Sequence, residues 1–327
     1  MDLYILFHSV VMHVIALMVV LVYIPLSIPV KLFMWAFVKP FTKEDLRGKV
    51  VLITGASSGI GEELAYQYAQ KGACLALVAR RKKALERVAE AARERGAPDV
   101  LVILADVSDA EESRRAVEET LAHFGKLNHL VANAGVWATG CFDEATNITA
   151  FAKMMVKTGM PVEPLRLKFD YDVVVRTNVR ATKAAQLRFY ETLRSEFGTE
   201  VGVTILTPGY VESEITQGKA IQKDGVLAVN EETRDAQVGI FPVGRVETFC
   251  EIALDSIQKG DWYLTWPSLY RPMELIACIA PEVLNCICYQ LYNTRNGGRS
   301  LAQRIAEATG VRQLYPSTLL SPGIKTE

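Results

Sequence analysis

Residues 49–61 read Lys-Val-Val-Leu-Ile-Thr-Gly-Ala-Ser-Ser-Gly-Ile-Gly, and this stretch decides the fold class. Lys49–Thr54 is rich in β-branched side chains and is closed by Gly55, the pattern of a strand buried on both faces. Gly61–Gly72 is bounded by glycines and reads as a helix. The turn between them carries three glycines with separate tasks. Gly55 permits a tight turn, Gly59 lets backbone N–H groups approach a pyrophosphate, and Gly61 lets helix and strand pack closely. The start of a helix favours an anion, because its first N–H groups are unpaired and its dipole is positive there. A glycine-rich run alone is a weak signal; its place between strand and helix makes it a dinucleotide-binding one.

The alternation continues downstream. Cys74–Ala79 reads as a second strand, Lys83–Gly96 as a charged amphipathic helix, and Val100–Leu104 as a third strand. Asp109 is a helix N-cap, followed by Glu111 and Glu112 in the first turn, where the dipole favours them. That helix ends near Gly125, and Leu127–Val131 reads as the fourth strand. The order implies parallel strands joined by crossover helices, which is an α/β, doubly wound, mostly parallel, Rossmann-like sheet. The second strand ends at Arg80 and Arg81. An NAD site wants Asp or Glu there for the ribose hydroxyls, whereas two guanidinium groups suit a 2′-phosphate, so the expected cofactor is NADP.

Upstream, Leu3–Val30 contains no Asp, Glu, Lys or Arg, a run longer than the ~20 residues that cross a bilayer core. No small-residue cleavage site follows it. Lys31, Lys39, Lys43, Arg47 and Lys49 cluster on its C-terminal side, which places the globular part in the cytosol. Pro25 and Pro29 either kink a single span or turn the chain back as a hairpin in one leaflet. Both readings give an integral membrane protein with an anchor at residues 1–45.

The remaining composition excludes other chemistry. The formal net charge is −1, so no whole-chain field recruits nucleic acid. The four histidines all lie in the first half, which leaves a Ser…Asp…His hydrolase order without its base and a histidine zinc site poorly supplied; no metal is expected. The six cysteines form no CxxC pair and read as reduced thiols.

These motifs resemble the short-chain dehydrogenase/reductase family. Its turn has the spacing Gly55-x3-Gly59-x-Gly61. Asp106 with Val107 after the third strand, Asn133-Ala134-Gly135 after the fourth, and Pro208-Gly209 with Val211 after the strand Gly202–Leu206 resemble the family's adenine, NAG and PG motifs. Thr216 resembles the phosphate-contacting Thr that follows. The cofactor set implied is Gly55, Ser57, Ser58, Gly59, Ile60, Gly61, Arg80, Arg81, Asp106, Val107, Asn133, Ala134, Gly135, Lys183, Pro208, Gly209 and Val211. Arg188–Glu196, Glu212-Ser213-Glu214 and Gln217-Gly218-Lys219 are similar to the plant steroleosins, lipid-droplet proteins related to 11-beta-hydroxysteroid dehydrogenases. That resemblance implies a sterol-like alcohol or ketone as substrate, residence at the endoplasmic reticulum or a lipid droplet, and a homodimer as one open assembly.

The resemblance breaks at the catalytic centre. Family catalysis uses Tyr and Lys spaced YxxxK on one helix face, with a Ser upstream. Ala181-Thr182-Lys183-Ala184-Ala185 matches the lysine end, so Lys183 is the catalytic candidate, but Val179 stands where the Tyr belongs. Val173–Val175 could be the fifth strand, yet Arg176-Thr177-Asn178 follows instead of the Ser pair. The expectation is impaired chemistry, by a genuine loss or a mis-joined segment. Tyr210–Gly239 matches the family's substrate loop, Met273–Tyr292 reads as an amphipathic lid or a core helix pair, and the domain spans 46–297 with a polar tail at 298–327.

Overall fold

The computed structural model describes residues 3–34, 37, 43–135, 187–198, 200–221, 226–229, 234–235, 238–239, 241–292 and 300–310. The chain divides into two compact units, Met1–Asp45 with Ile257–Lys259, and the remainder.

In the first unit the chain is helical from Leu3 to Met34: α1 (Leu3–Met18), a π-helical turn Val19–Tyr23, then α2 (Ile24–Phe33). The wide turn has a local cause. Pro25 has no N–H to donate, and its ring crowds the carbonyl four residues back, so the chain opens to an i→i−5 bond from Ile24 N–H to Val19 O. There is no reversal of direction at the prolines, so this stretch is one continuous rod. Its apolar side chains are exposed along Phe7–Phe33.

The second unit is built on strands β1 (Val50–Thr54), β2 (Cys74–Ala79), β3 (Val100–Leu104) and β4 (His129–Val131), parallel and in the order β3-β2-β1-β4. Strand periodicity sorts their side chains to two faces. Val51, Ile53, Leu75 and Leu77 pack with Tyr68 and Ala69 of α3 (Gly59–Gln70) and with Leu85, Val88 and Ala92 of α4 (Lys82–Glu94). Leu52, Ala76 and Val78 pack on the other side with Ala116 and Phe124 of α5 (Ala110–Phe124). The sheet is therefore wound on both faces. Each fully buried Leu or Val contributes roughly 1.5–3 kcal/mol relative to exposure, which is why β1 and β2, with nearly every side chain buried, anchor the unit.

Several expected boundaries move for identifiable reasons. The helix after the glycine turn starts at Gly59, not Gly61, because Ser58 is the last extended residue. The fourth strand is His129–Val131 rather than Leu127–Val131: the Asn128 side-chain oxygen takes the Val50 N–H at 2.9 Å, and Asn128 N–H bonds Val50 O. The strand expected at Gly202–Leu206 is β5 (Ile205–Pro208), because the Arg194 guanidinium takes the Val203 carbonyl at 2.8 and 3.2 Å. Arg194 lies on α6 (187–197).

Beyond β5 the chain forms the antiparallel hairpin β6 (Lys219–Ile221) and β7 (Leu227–Val229), then α7 (Val246–Gln258) and β8 (Tyr263–Trp266), which pairs in parallel with β5. Among the described residues β4 is a sheet edge, and its Leu130 is 59% exposed. Val173–Val175, the expected fifth strand, lies outside the described residues.

Two C-terminal readings change. The lid-or-core pair is α8 (Arg271–Ile279) and α9 (Pro281–Tyr292), bent by 120° around Pro281, and its apolar residues Leu275, Ile279, Val283 and Ile287 are exposed, so it is not a core pair. The expected polar tail contains α10 (Leu301–Thr309), with Ala302 and Ala306 buried. Ser300 and Gln303 form a capping box that satisfies two N–H groups, and the alanines four apart give a small face that packs closely.

Candidate functional site

Thr54 closes β1 and knits the glycine turn to the end of β4. Its hydroxyl donates to Val131 O at 3.3 Å and accepts from the N–H groups of Asn133 and Ala134 at 3.0 and 3.1 Å. Asn133 Nδ2 donates back to Thr54 O at 3.1 Å. Gly55 has φ +67, and a Cβ there would lie 2.8 Å from Ala134 Cα. A Cβ on Gly61 would strike the Gly55 carbonyl and sit 2.5 Å from Asn133 Nδ2. Asn133-Ala134 thus presses directly on the turn, and two of the three glycines are required by packing alone.

Charge gathers beside the turn. Arg81 follows β2, with one amino nitrogen donating to Ser58 Oγ at 2.6 Å and Ser57 Oγ at 3.2 Å. Its other amino nitrogen pairs with Glu214 Oε1 at 2.7 Å. Lys219 Nζ donates to the second Glu214 oxygen at 2.8 Å. Burial alone would raise the Glu214 carboxyl, but Lys219 and Arg81 outweigh it and hold the group below the ordinary carboxylate range. Arg80 is half exposed and lies 3.6 Å from Asp106. Asp106 also accepts from the backbone N–H and hydroxyl of Ser108, at 3.1 and 2.7 Å. Val107 and Ile60 pack against neighbouring core clusters.

The segment after β5 forms the far wall. Gly209 N–H bonds Trp266 O, and the Tyr270 ring fills the space where a Gly209 side chain would be. Val211 contributes its side chain to the core rather than to a cleft; it is 2% exposed. Ser213 Cβ lies 3.4 Å from where a Gly59 Cβ would stand, so this loop reaches the glycine turn. The Thr216 hydroxyl is engaged inside the loop, bonding Val211 O and Ser213 O and accepting the Ser213 N–H.

Thr54, Glu214 and Tyr270 stand outside the site residues expected from the sequence. A Thr before the first glycine was a visible signal. Glu214 had none, since it lies 133 positions from Arg81. Burial, with Tyr210 beside it, pushes the Tyr270 phenol up to about 12. It stays protonated at neutral pH. Gly135 is exposed at the edge of this site, whereas Lys183, Val179 and Thr177 lie outside the described residues.

The family profile described as short chain dehydrogenase matches residues 49–158, ending well before Lys183. A protein of Arachis hypogaea named 11-beta-hydroxysteroid dehydrogenase A is 42% identical over 319 residues, covering 90% of this chain and 91% of that one. The chain belongs to the short-chain dehydrogenase family. Another plant member, 11-beta-hydroxysteroid dehydrogenase 1A of Arabidopsis thaliana, is 41% identical over 318 residues, covering 90% of this chain and 91% of its own. Solved short-chain dehydrogenases share the fold. One from Burkholderia phymatum in complex with NAD has a TM-score of 0.58 at 22% identity, covering 73% of this chain and 96% of that one. One from Sphingobium yanoikuyae in complex with NADPH has a TM-score of 0.53 at 22% identity, covering 72% and 95%. As a short-chain dehydrogenase, the chain belongs to a family of oxidoreductases that bind nicotinamide cofactors.

Proposed function

We propose that this chain is a membrane-anchored, NADP-binding protein of the hydroxysteroid dehydrogenase type whose own catalysis is impaired. The observation that carries the reading is the convergence of Arg81 with the hydroxyls of Ser57 and Ser58 beside the glycine turn. A guanidinium and two hydroxyls suit a dianionic 2′-phosphate, and no carboxylate follows β2 to take a bare ribose. The residues fit the group: the corner from Thr54 to Gly61 has no room for a side chain at Gly55 or Gly61, and the first turn of α3 opens there with N–H groups suited to a pyrophosphate. Bound NADP(H) would supply the hydride chemistry; Gly55, Ser57, Ser58, Gly59, Ile60, Gly61, Arg80 and Arg81 hold its phosphate end, while Asp106, Val107, Asn133, Ala134, Pro208 and Gly209 flank its rings.

The names of the plant relatives support a hydrophobic, steroid-like alcohol or ketone. Anchoring is supported by the apolar helix Phe7–Phe33, about 40 Å long against a hydrocarbon core of about 30 Å. The basic flank supports a cytosolic catalytic unit at the endoplasmic reticulum or a lipid droplet. Impairment rests on Val179, because losing a general acid/base lowers rates by about 10²–10⁴-fold. The same residue favours a second reading, a non-catalytic NADP-binding or structural lipid-droplet protein.

Calorimetry on the detergent-solubilised chain should give heat with NADPH and a weaker signal with NADH. Incubation with NADPH and steroid ketones should give little or no turnover. Absence of binding by either nucleotide sinks the NADP reading, and rates equal to those of the peanut relative sink the impairment.

A further inference from the structure

Arg81 faces two kinds of partner at once. On one side are the Ser57 and Ser58 hydroxyls of the glycine turn, and on the other is the Glu214 carboxylate from the loop after β5. The arginine is two-thirds enclosed and Glu214 slightly more so, which keeps the pair partly shielded from water. Glu214 is shared: one oxygen bonds Arg81 and the other bonds Lys219.

Resting on the NADP reading above, we propose that Glu214 is a specificity-determining residue that competes with the cofactor's 2′-phosphate for Arg81. The carboxylate occupies the guanidinium nitrogen an entering phosphate needs, and its charge repels the dianion. Ser57 and Ser58 accept from Arg81, and each keeps its own O–H to donate to a phosphate oxygen. Lys219 makes the exchange feasible. When the phosphate takes Arg81, Glu214 keeps its ammonium partner and is not left as an uncompensated charge. The competition also ties cofactor class to the loop. Ser213 lies beside Gly59, with its Cβ 3.4 Å from where a Gly59 Cβ would stand, so releasing Glu214 frees residues 211–218 from Arg81, whereas a cofactor with a bare ribose leaves that latch closed.

The test uses the full-length chain in detergent and four probes: NADPH, NADH, adenosine 2′,5′-bisphosphate and 5′-ADP, each titrated by calorimetry. Glu214→Gln should tighten the two 2′-phosphorylated probes about tenfold, the scale of a half-buried ion pair, and leave NADH and 5′-ADP unchanged. Glu214→Asp, shortened by one methylene but still charged, should act in the same direction more weakly. In an Arg81→Ala background Glu214→Gln should have no effect. NADH binding by every variant reports an intact corner. A wild type that prefers the 2′-phosphate, with the ratio unmoved by either Glu214 variant, overturns the competition and leaves the NADP reading standing. A wild type without preference in which Glu214→Gln creates one upholds the competition and overturns NADP as the natural cofactor. No preference in any variant overturns both.

Discussion

At Gly61 two opposite tendencies meet, and the packing decides. Within a helix, alanine ordinarily stabilises relative to glycine by up to about 1 kcal/mol. Here the added methyl would strike the Gly55 carbonyl and Asn133 Nδ2, both held by the Thr54 network. Overpacking of that kind costs about 1–3 kcal/mol. Gly61→Ala should therefore lower the melting temperature and abolish its increase by NADPH, which differential scanning fluorimetry reads directly; an unchanged melting temperature would show that the turn yields freely. Glu214 makes a second residue-scale prediction, with a definite sign. Its folded carboxyl is held below the ordinary range, so it stabilises the fold above the unfolded carboxylate range and loses that contribution as pH falls through its depressed value. Urea denaturation should show wild type more stable than Glu214→Gln at neutral pH, with the gap closing in acid. A gap that widens in acid would reverse the assignment of Lys219 and Arg81 as its stabilising partners.

Among the elements, α5 was legible from its ends. Asp109 accepts from the N–H groups of Glu111 and Glu112 at 2.8 and 3.1 Å, and Gly125 at φ +72 closes the other end. Asp109→Ala should cost about 1 kcal/mol, lowering the melting temperature by about 2–4 °C for a domain of this size. No change would mean that α5 is held by its packing on β1 and β3 alone. The tail was misread for a reason of the same kind. Ser300 and Gln303 have the capping spacing, but too few large apolar residues follow for a periodic signal; Ala302 and Ala306 bury a face too small to register as hydrophobic. The strands β4 and β5 were found but misplaced, because Asn128 and Arg194 capture ladder groups through side-chain bonds that no propensity describes.

For the molecule as a whole, the apolar N-terminal helix and the doubly wound sheet make different demands on solvent. The large apolar side chains of Phe7–Phe33 are exposed, and water alone leaves that surface unburied. The full chain should stay with membranes through an alkaline carbonate wash, and deletion of residues 1–45 should move the protein toward the soluble fraction. Release of the full chain by carbonate would end the anchor reading. The exposed apolar side chains of α8 and α9 predict that the truncated chain retains some affinity for vesicles, measurable by flotation.

The family, the glycine-rich strand-to-helix turn, the arginine pair and the uncharged N-terminal run were legible in the order of residues alone. Each of these is a local pattern, written within a few residues by spacing, charge or chain conformation. Tertiary structure alone decided that Glu214 meets Arg81, that Asn133 forbids a side chain on Gly61, and that Tyr270 stacks on Gly209. Those pairs lie far apart along the chain, and only the close packing of the sheet and its loops brings their atoms within van der Waals or hydrogen-bond reach.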